Sequence, residues 1–533
     1  MHRRMFSKLL VASFLSTPLL ANRAAGQSET ADSASIPRPF SPVQVGNRVQ
    51  LFVDQMLVRE SQRVAFTLHP AEKHPLNPLV KADRPWEVWN AELFGTVLYD
   101  EEEKLFKMWY TADGEGYFED TYPTFYAVSQ DGVHWEKPLV GTLECKKNIR
   151  HNAVTFVQQI NVMKDNEDPD ASRRYKMVGN VDTARPVKGY FTFVSADGLN
   201  WKQHGSVPLA PIRFPSTPKL VGNGDNITAY YDRERRLYVA FPKIAAPVRG
   251  YYRRSYYMVT SKDFERWSEP ILVLAADERD DAGSLHRAEE VRPMLDVPDD
   301  PVRMRGEFYV VGFYPTQSCT LSFISLFTLT NQARGNTLQH EGPSEVQLAS
   351  SRNLTSWERP FRTPCIPRGK IGEWDRGFFM TASEAIRVGD EIWLYYHGTN
   401  YTHGTPVFHM NERTGRGTTV DGAIGLAKWK LDRFVSADGI GEGSSLTTVP
   451  IVFSGERLEI NAHIDSPGEL RVEILDAASR RIPDFDLSEP MKGDDLRHPI
   501  RWKDGNLSKL RGRPVTLKFH LKGAELYSFA FRA

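Results

Sequence analysis

Residues 129–135, Ser-Gln-Asp-Gly-Val-His-Trp, are the first copy of a phrase with the pattern Ser-x-Asp-x-x-x-Trp. Residues 195–201 and 261–267 repeat it, and residues 351–357 repeat it with Asn353 in place of the aspartate. The tryptophans at 135, 201 and 267 stand 66 residues apart, and the next interval is 90 residues. A fixed interval indicates one supersecondary unit that is built several times, so the architecture should follow from this period.

Each phrase follows a β-hairpin and a third strand. Short apolar runs joined by polar turns predict these strands, and no helical period competes with them. The predicted hairpins are 96–100 with 105–110, 227–231 with 237–241, and 385–388 with 392–396, while 175–179 and 307–312 are interpreted as the second strands of two more. The predicted third strands are 125–128, 190–194, 256–259, 346–349 and 423–426.

These units predict an all-β protein with a five-bladed β-propeller over residues 45–440. The serine and aspartate of each phrase are expected to bond the backbone of an outer turn, with the tryptophan packed beneath it. The fifth unit ends at Lys428-Trp429-Lys430 without the phrase, as terminal repeats often do. The extra length of the fourth unit is assigned to 321–342 and 296–301.

A second, smaller unit is predicted at the C-terminus. After the glycine- and serine-rich stretch 439–445, short alternating strands follow at 457–461, 469–475 and 515–521. Their spacing with polar turns is typical of a β-sandwich, which we place at residues 446–533. Packing against the propeller is its expected role.

The first residues are typical of an export signal. Arg3, Arg4 and Lys8 precede an apolar run at 9–20, and small residues at 24–26 offer a cleavage site. We therefore expect a signal peptide at 1–26, a disordered linker at 27–44 and a secreted or periplasmic protein. The apolar run is too short to cross a bilayer, and no other segment of sufficient length follows, so no membrane span is expected.

Composition excludes several other classes of protein. The chain contains 67 lysine and arginine residues and 67 aspartate and glutamate residues, so it has no net positive charge that would attract nucleic acid. The three cysteines are expected to be unpaired, and no Cys/His cluster suggests a metal site. No Gly-x-Ser-x-Gly and no phosphate-binding loop is present, which argues against an esterase or a kinase. We expect a monomer without a cofactor.

Five such units followed by a small sandwich resemble the five-bladed propeller glycosidases, which are the arabinanase, levansucrase and invertase families (glycoside hydrolase families 43, 68 and 32). The chain is most similar to secreted bacterial proteins described as glycosyl hydrolase family 32-like. The residues that carry this resemblance span nearly the whole mature chain: Leu51-Phe-Val-Asp54, and residues 95–100, 106–110, 369–374, 434–438 and 526–529.

The resemblance implies carbohydrate chemistry by acidic residues at the propeller axis. Those families place an aspartate on the inner strand of the first blade, a second acid in the second blade and a glutamic acid further on. This chain has Trp89-Asn90-Ala91-Glu92 at the first position and Arg150-His151-Asn152-Ala153 at the second, without the Asp-Pro and Arg-Asp-Pro motifs. The missing motifs leave open a different linkage or a loss of catalysis.

Glycoside hydrolysis needs two carboxyl groups on either side of the scissile bond, and one of them must stay protonated near neutral pH. Inner strands of a propeller converge on its axis, so acids just before those strands can meet although they are distant in sequence. The acids at such positions are Glu92, Asp225, Glu289, Glu290, Asp375 and Glu384. We predict Glu92, Glu290 and Asp375 as catalytic, and as substrate-binding residues Trp86, Trp89, Asn152, Asp225, Glu384, His397 and His403.

The sequence therefore predicts a secreted glycoside hydrolase that acts on a poly- or oligosaccharide. The alternative is a noncatalytic carbohydrate-binding propeller that lost its acids. Asp54, in the first strand segment, is expected to tie the ends of the ring together. A scaffold for protein partners has no specific support, although fold alone does not decide function.

Overall fold

The computed structural model describes residues 41–120, 122–181, 189–205, 209, 223–334, 339–405 and 422–533. The predicted signal peptide and residues 27–40 of the predicted linker lie outside the described residues. The first strand begins at Val43, inside the end of that linker. No helix within the described ranges is long and apolar enough to cross a membrane.

Strands dominate the described part of the chain, in agreement with the predicted all-β class. The first five strands are β1 (Val43–Gly46), β2 (Gln50–Leu51), β3 (Val58–Gln62), β4 (Val64–Leu68) and β5 (Glu72–Lys73). Two short helices, α1 (Glu278–Ala282) and α2 (Ser284–Glu289), lie between the third and fourth blades. Single 3₁₀ turns occupy Ala171–Arg173, Arg292–Met294 and Leu507–Lys509.

Five antiparallel sheets follow one another along the chain and form the predicted five-bladed propeller. Blade one contains β6 (Ala91–Asp100), β7 (Leu105–Ala112), β8 (Thr124–Ser129) and β9 (Ala153–Thr155). Blade two contains β10 (Gln158–Lys164), β11 (Tyr175–Val181), β12 (Gly189–Ser195) and β13 (Lys202–Gln203). Blade three contains β14 (Asn223–Asp232), β15 (Leu237–Val248), β16 (Tyr251–Ser261) and β17 (Ile271–Leu274).

The last two blades are less regular. Blade four contains β18 (Arg305–Pro315), β19 (Thr320–Leu329) and β22 (Ser344–Ser351), with a separate two-stranded pair, β20 (Asn331–Gln332) and β21 (His340–Glu341). Blade five contains β23 (Phe378–Thr381), β24 (Ile386–Val388), β25 (Glu391–Thr399) and β26 (Gly422–Lys430). Both β23 and β24 pair with β25, so the inner strand of this blade is interrupted at residues 382–385.

Blade four differs from the sequence prediction. Residues 307–312 belong to the inner strand β18, not to a second strand, and residues 321–329 form the second strand β19, not an insertion. Both strands are apolar along most of their length, so hydrophobicity alone could not show which of them is the inner strand of the blade. Glu307 and Tyr309 therefore lie on the inner strand, next to the propeller axis.

The ring is closed by a strand from the start of the propeller. β5 pairs with the outer side of β26, with Lys73 opposite Ala427 and Glu72 opposite Lys428. Blade five is therefore assembled from both ends of the propeller segment. This contact, rather than Asp54, joins the two ends of the ring.

The repeated phrase forms outer turns, as predicted, and also links neighbouring blades. In the first copy, Asp131 Oδ1 accepts hydrogen bonds from the N–H groups of Val133 and His134, both at 2.8 Å. Gly132 adopts a φ of 75°, and Tyr395 Oη of blade five donates to its carbonyl oxygen at 2.6 Å. Each phrase is therefore both a turn and a contact with the preceding blade.

The remaining strands form one ten-stranded sheet with its own hydrophobic core. They are β27 (Val435–Gly439), β28 (Ser445–Thr448), β29 (Ile451–Phe453), β30 (Arg457–Asp476), β31 (Gly493–Ile500) and β32 (Val515–Arg532). β1 to β4 join this sheet, so residues 43–68 pair with the C-terminal strands and not with a blade. The predicted propeller range of 45–440 therefore includes strands that belong elsewhere, and the sandwich at 446–533 stays a prediction.

An ion pair joins the ten-stranded sheet to blade four. The Asp54 carboxylate accepts from Arg352 Nε at 2.8 Å and from Arg352 Nη2 at 3.0 Å, and only 5% of the Asp54 side chain is exposed. Arg352 is the second residue of the fourth phrase. All three cysteines are free.

We predict that Asp54→Ala lowers the free energy of unfolding by about 3–5 kcal/mol, because it leaves the Arg352 guanidinium buried without a counter-charge. Chemical denaturation measures this loss. The matched control is Asp390→Ala, which breaks the exposed pair with Arg497 and should change stability by about 1 kcal/mol or less. Equal effects of the two substitutions would contradict the assignment.

Candidate active site

The inner strands begin at one end of the propeller axis, and polar side chains collect there. Glu92 is the second residue of β6 in blade one and is half-buried. Asn90 precedes the strand at a φ of 61°, and its Nδ2 donates to Glu92 Oε1 at 2.6 Å and to Tyr401 Oη at 3.1 Å. This amide fixes the orientation of the Glu92 carboxyl group.

The environment of Glu92 favours its protonated form. Burial raises the pKa of Glu92 to about 7, and the negative charges of Asp113 and Asp225 add to the rise, while the Asn90 hydrogen bond opposes it. Asp113 is itself buried and accepts from Trp89 Nε1 at 2.8 Å. Near neutral pH, Glu92 can therefore hold a proton and release it.

Asp225 of blade three influences Glu92 from the facing strand β14. Its oxygen contacts the ammonium group of Lys243 on the neighbouring strand β15. Desolvation raises the pKa of Asp225, but the charges of Lys243 and Arg254 outweigh it and lower the pKa below the ordinary range. Because 47% of the Asp225 side chain is exposed, this ionised carboxylate is open to a ligand.

Tyr309 of blade four connects this pair to blade five. The Lys243 ammonium lies 4.1 Å from the centre of the Tyr309 ring, within the range of a cation–π contact. His403 Nε2 lies 2.9 Å from Tyr309 Oη, and His403 Nδ1 lies 2.7 Å from the His340 carbonyl oxygen. Burial and the charge of Arg254 lower the pKa of His403 to about 3, so its ring is neutral.

Arg254 and Arg305 share one carboxylate beside Tyr309. Glu307 accepts from Arg254 Nη1 at 2.7 Å and from Arg305 Nε at 2.9 Å. The Arg254 guanidinium carbon lies 5.5 Å from the centre of the Tyr309 ring. We use the name axial site for Glu92, Asp225, Lys243, Arg254, Tyr309 and His403, which come from blades one, three and four and from the residues that follow β25 in blade five.

The other two predicted catalytic acids are engaged elsewhere. Glu290 caps the end of α2 and accepts from Arg368 Nη1 at 3.0 Å. Asp375 is buried against blade five, where it accepts from Lys73 Nζ at 2.6 Å and from Tyr396 Oη at 2.8 Å. Among the described residues, no hydrogen bond or ion pair joins either carboxylate to the axial site. Their catalytic role stays an untested prediction.

Two predicted substrate-binding residues are interior. Trp86 is 7% exposed, and its Nε1 donates to Asn152 Oδ1 at 2.8 Å. Asn152 is fully buried and donates to Tyr110 Oη at 2.9 Å. We correct their assignment to structural residues of blade one, because neither side chain can meet a ligand. Trp89, in contrast, is half-buried beside Asp113 and Tyr401, as a sugar-stacking side chain would be.

The remaining predicted residues divide between the axial site and other positions. Asp225 and His403 lie in it. His397 is 1% exposed and hydrogen-bonds the Ala91 carbonyl oxygen at 3.0 Å, so it holds β25 against the start of β6. Glu384 lies between β23 and β24, where it pairs with Phe313 of blade four, and burial raises the pKa of Glu384 to about 7. Glu289 ends α2.

Sequence reasoning missed Lys243, Arg254 and Tyr309. The two cations stand inside otherwise apolar or aromatic strands, β15 and β16, and Lys243 is 2% exposed. A charge within such a strand costs free energy unless it is paired, and this is the feature of the sequence that could have identified the two residues. Tyr309 was hidden because its strand was assigned to the wrong position in the blade. No group of three or more metal-ligating side chains forms within the described ranges.

Comparisons with known proteins are uninformative about the reaction. No family model and no curated protein matches the chain. The structure of a glycosyl hydrolase from Bacteroides ovatus is similar over 68% of this chain and 94% of that protein's chain, at 12% sequence identity and a TM-score of 0.41. The β-1,2-mannobiose phosphorylase from Listeria innocua, in complex with β-1,2-mannobiose, overlaps 68% and 97%, at 12% identity and a TM-score of 0.40.

A third similar structure is an N-acetylgalactosamine deacetylase from F. plautii in complex with blood group B trisaccharide. It overlaps 74% of this chain and 96% of its own, at 13% identity and a TM-score of 0.38. At these values the similarities identify neither the reaction nor the residues that carry it out. The resemblance to glycoside hydrolase family 32 stays a prediction.

We predict that Glu92→Gln stabilises the fold at pH 8 but not at pH 4. The folded-state pKa of about 7 lies above the ordinary value of 4.5, so the stability present below pH 4.5 is lost as the pH rises through 7. Glutamine cannot ionise and should recover about 1–3 kcal/mol at pH 8. Thermal unfolding at both pH values measures the difference.

The control for this experiment is Glu136→Gln, which removes a carboxylate from an exposed position. A gain at pH 8 that both substitutions share would reflect the overall charge. In that case the perturbed titration of Glu92 would be refuted.

Proposed function

We propose that this protein is a glycoside hydrolase whose reaction takes place at the axial site. The observation that carries the proposal is that Glu92, protonated near neutral pH, and Asp225, held ionised by Lys243, stand near the starts of two inner strands, where the charge of Asp225 contributes to the raised pKa of Glu92. Two carboxyl groups whose environments push their pKa values apart are the arrangement that glycoside hydrolysis requires. The substrate class is a poly- or oligosaccharide.

The two carboxyl groups have different roles. Glu92 donates its proton to the glycosidic oxygen, so that the leaving sugar departs as a neutral alcohol. Asp225 acts on the opposite side of the sugar ring, where its negative charge stabilises the positive charge that develops at the anomeric carbon or activates water. Asn90 is a positioning residue, because it holds the Glu92 carboxyl group in one orientation.

Aromatic side chains around the site fit a sugar ligand. Trp89 is half-buried beside Tyr401, its indole N–H donates to Asp113, and an indole ring in such a position can contact the apolar patches of a sugar. Tyr309 lies between the cations and His403 at the centre of the site. These residues support binding next to the acids.

We predict that Glu92→Gln and Asp225→Asn each reduce sugar release by about 10²- to 10⁴-fold, the usual contribution of a positioned acid or base. Reducing-sugar release from a glycan panel in phosphate-free buffer measures hydrolysis. Glu290→Gln is the control, because that carboxylate pairs with Arg368 on the surface of α2. Full activity of both axial variants, or a comparable loss in Glu290→Gln, would refute this pair.

The pH dependence of kcat/KM should carry the signature of the same two groups. Activity falls as the pH rises through about 7, because Glu92 loses the proton that it must donate. At acid pH, kcat/KM should fall only below the ordinary pKa of an aspartic acid, because Lys243 and Arg254 lower the pKa of Asp225. A pH–rate profile between 3 and 9 tests both limbs. A rate that rises through pH 7 would contradict the acid role of Glu92.

Noncatalytic carbohydrate binding is the second candidate. It is favoured by the contact between Lys243 and Asp225, which engages an oxygen that hydrolysis needs. Glycan binding by the wild-type protein without release of sugar over the whole panel would select it. We also propose that the protein is exported, on the strength of its N-terminal sequence, and N-terminal sequencing of the mature protein tests this.

A further inference from the structure

The ammonium group of Lys243 is buried but incompletely satisfied. The residue is 2% exposed, and Asp225 is the one acceptor in contact with its Nζ within the described part of the chain. A lysine ammonium has three N–H donors, and leaving donors unbonded away from water is costly. The Tyr309 ring lies close to it, with the ammonium nitrogen 4.1 Å from the ring centre. The Lys243 ammonium therefore has N–H donors for a further acceptor, which the described residues do not supply.

Arg254 is in a similar position. Glu307 accepts from its Nη1, and no other described side chain accepts from its guanidinium group. An arginine carries five N–H donors in a planar fork that matches the oxygens of a carboxylate or a sulfate. Arg254 and Lys243 both lie close to the Tyr309 ring, at 5.5 Å and 4.1 Å from its centre, so their remaining donors belong to one region of the site.

Among the residues that the structure describes, cationic side chains outnumber carboxylates on this side of the axial site. Three cationic side chains, Lys243, Arg254 and Arg305, face two carboxylates, Asp225 and Glu307. His403 is neutral, and Asp113 lies on the side of blade one with Trp89. The positive charge is therefore concentrated around Asp225 and Tyr309, while Glu92 lies on the side of blade one.

We propose that the axial site recognises glycans that carry an anionic group, a carboxylate or a sulfate ester, and that Lys243 and Arg254 bind that group. The inference rests on the proposed function for the location of the sugar. An anionic oxygen would supply the missing acceptors and neutralise the surplus charge. A neutral sugar would offer only hydroxyl groups to two desolvated cations, which is a weaker compensation.

Binding to pairs of matched oligosaccharides tests the proposal directly. The first pair is a uronic acid oligosaccharide and the same compound with its carboxyl groups reduced to alcohols. The second is a sulfated oligosaccharide and its desulfated form. Calorimetric titration of the wild-type protein and of Glu92→Gln, which prevents turnover, should show that one anionic member binds at least about tenfold more tightly than its neutral partner. The pair that discriminates identifies the anionic group.

Substitutions then assign the preference to its residues. Lys243→Met should abolish it, and Arg254→Gln should reduce it and serves as the second variant if Lys243→Met fails to fold. Lys428→Met, which breaks a lysine–glutamate pair on blade five, is the matched control and should retain it. Equal affinities within both pairs, failure of every anionic glycan to bind, or an unchanged preference in both axial variants would overturn the proposal.

The outcome separates this inference from the proposed hydrolysis. Preference for an anionic glycan without release of sugar would refute hydrolysis and support anion recognition. Hydrolysis of neutral glycans alone, with equal binding within each pair, would refute anion recognition and leave hydrolysis standing.

Discussion

The hydrogen bond between one blade and the outer turn of the next is the contact on which the propeller depends. Trp109 Nε1 of blade one donates to the Gly198 carbonyl oxygen at 2.8 Å, and Tyr395 Oη of blade five donates to the Gly132 carbonyl oxygen at 2.6 Å. Both glycines adopt a φ of 75°, and a Cβ there would lie within 3 Å of these aromatic rings. In the first two phrases, the glycine lets the turn approach its neighbour, while Phe264 and Leu354 also adopt a positive φ in the third and fourth.

These contacts fix blade one against blades five and two, and the packing of the blades decides which residues meet at the axis. Inner strands that begin at the same end bring together Glu92, Asp225 and Tyr309, although Glu92 and Tyr309 are 217 residues apart in sequence. The two carboxyl groups then have opposite environments, because Glu92 faces negative charges and Asp225 faces Lys243 and Arg254. The reaction that we propose follows from that difference, and the preference for anionic glycans from the cations that maintain it.

Sequence reasoning found part of this site. Glu92, Asp225 and His403 were identified because each stands at the start of an inner strand or at the end of its neighbour. Trp86 was assigned to substrate binding because it precedes Glu92, and Asn152 because it stands at the expected entry of the second blade; the two side chains bond to each other inside blade one. Tyr309 was missed because β18 and β19 are both apolar, and strand order within a blade is decided by pairing, which no single strand reveals.

The sequence by itself determined the class and the count of the repeats. Short apolar runs specify strands, the Ser-x-Asp-x-x-x-Trp phrase marks four units, and one more hairpin with its third strand gives the fifth, because all of these are local properties of the chain. Only the tertiary structure decided that β5 closes the ring, that β1 to β4 join the C-terminal sheet, and which charged groups face one another. The physical reason is that strand pairing and electrostatic effects depend on distances between residues that are far apart in sequence, and only the packing of the blades sets those distances.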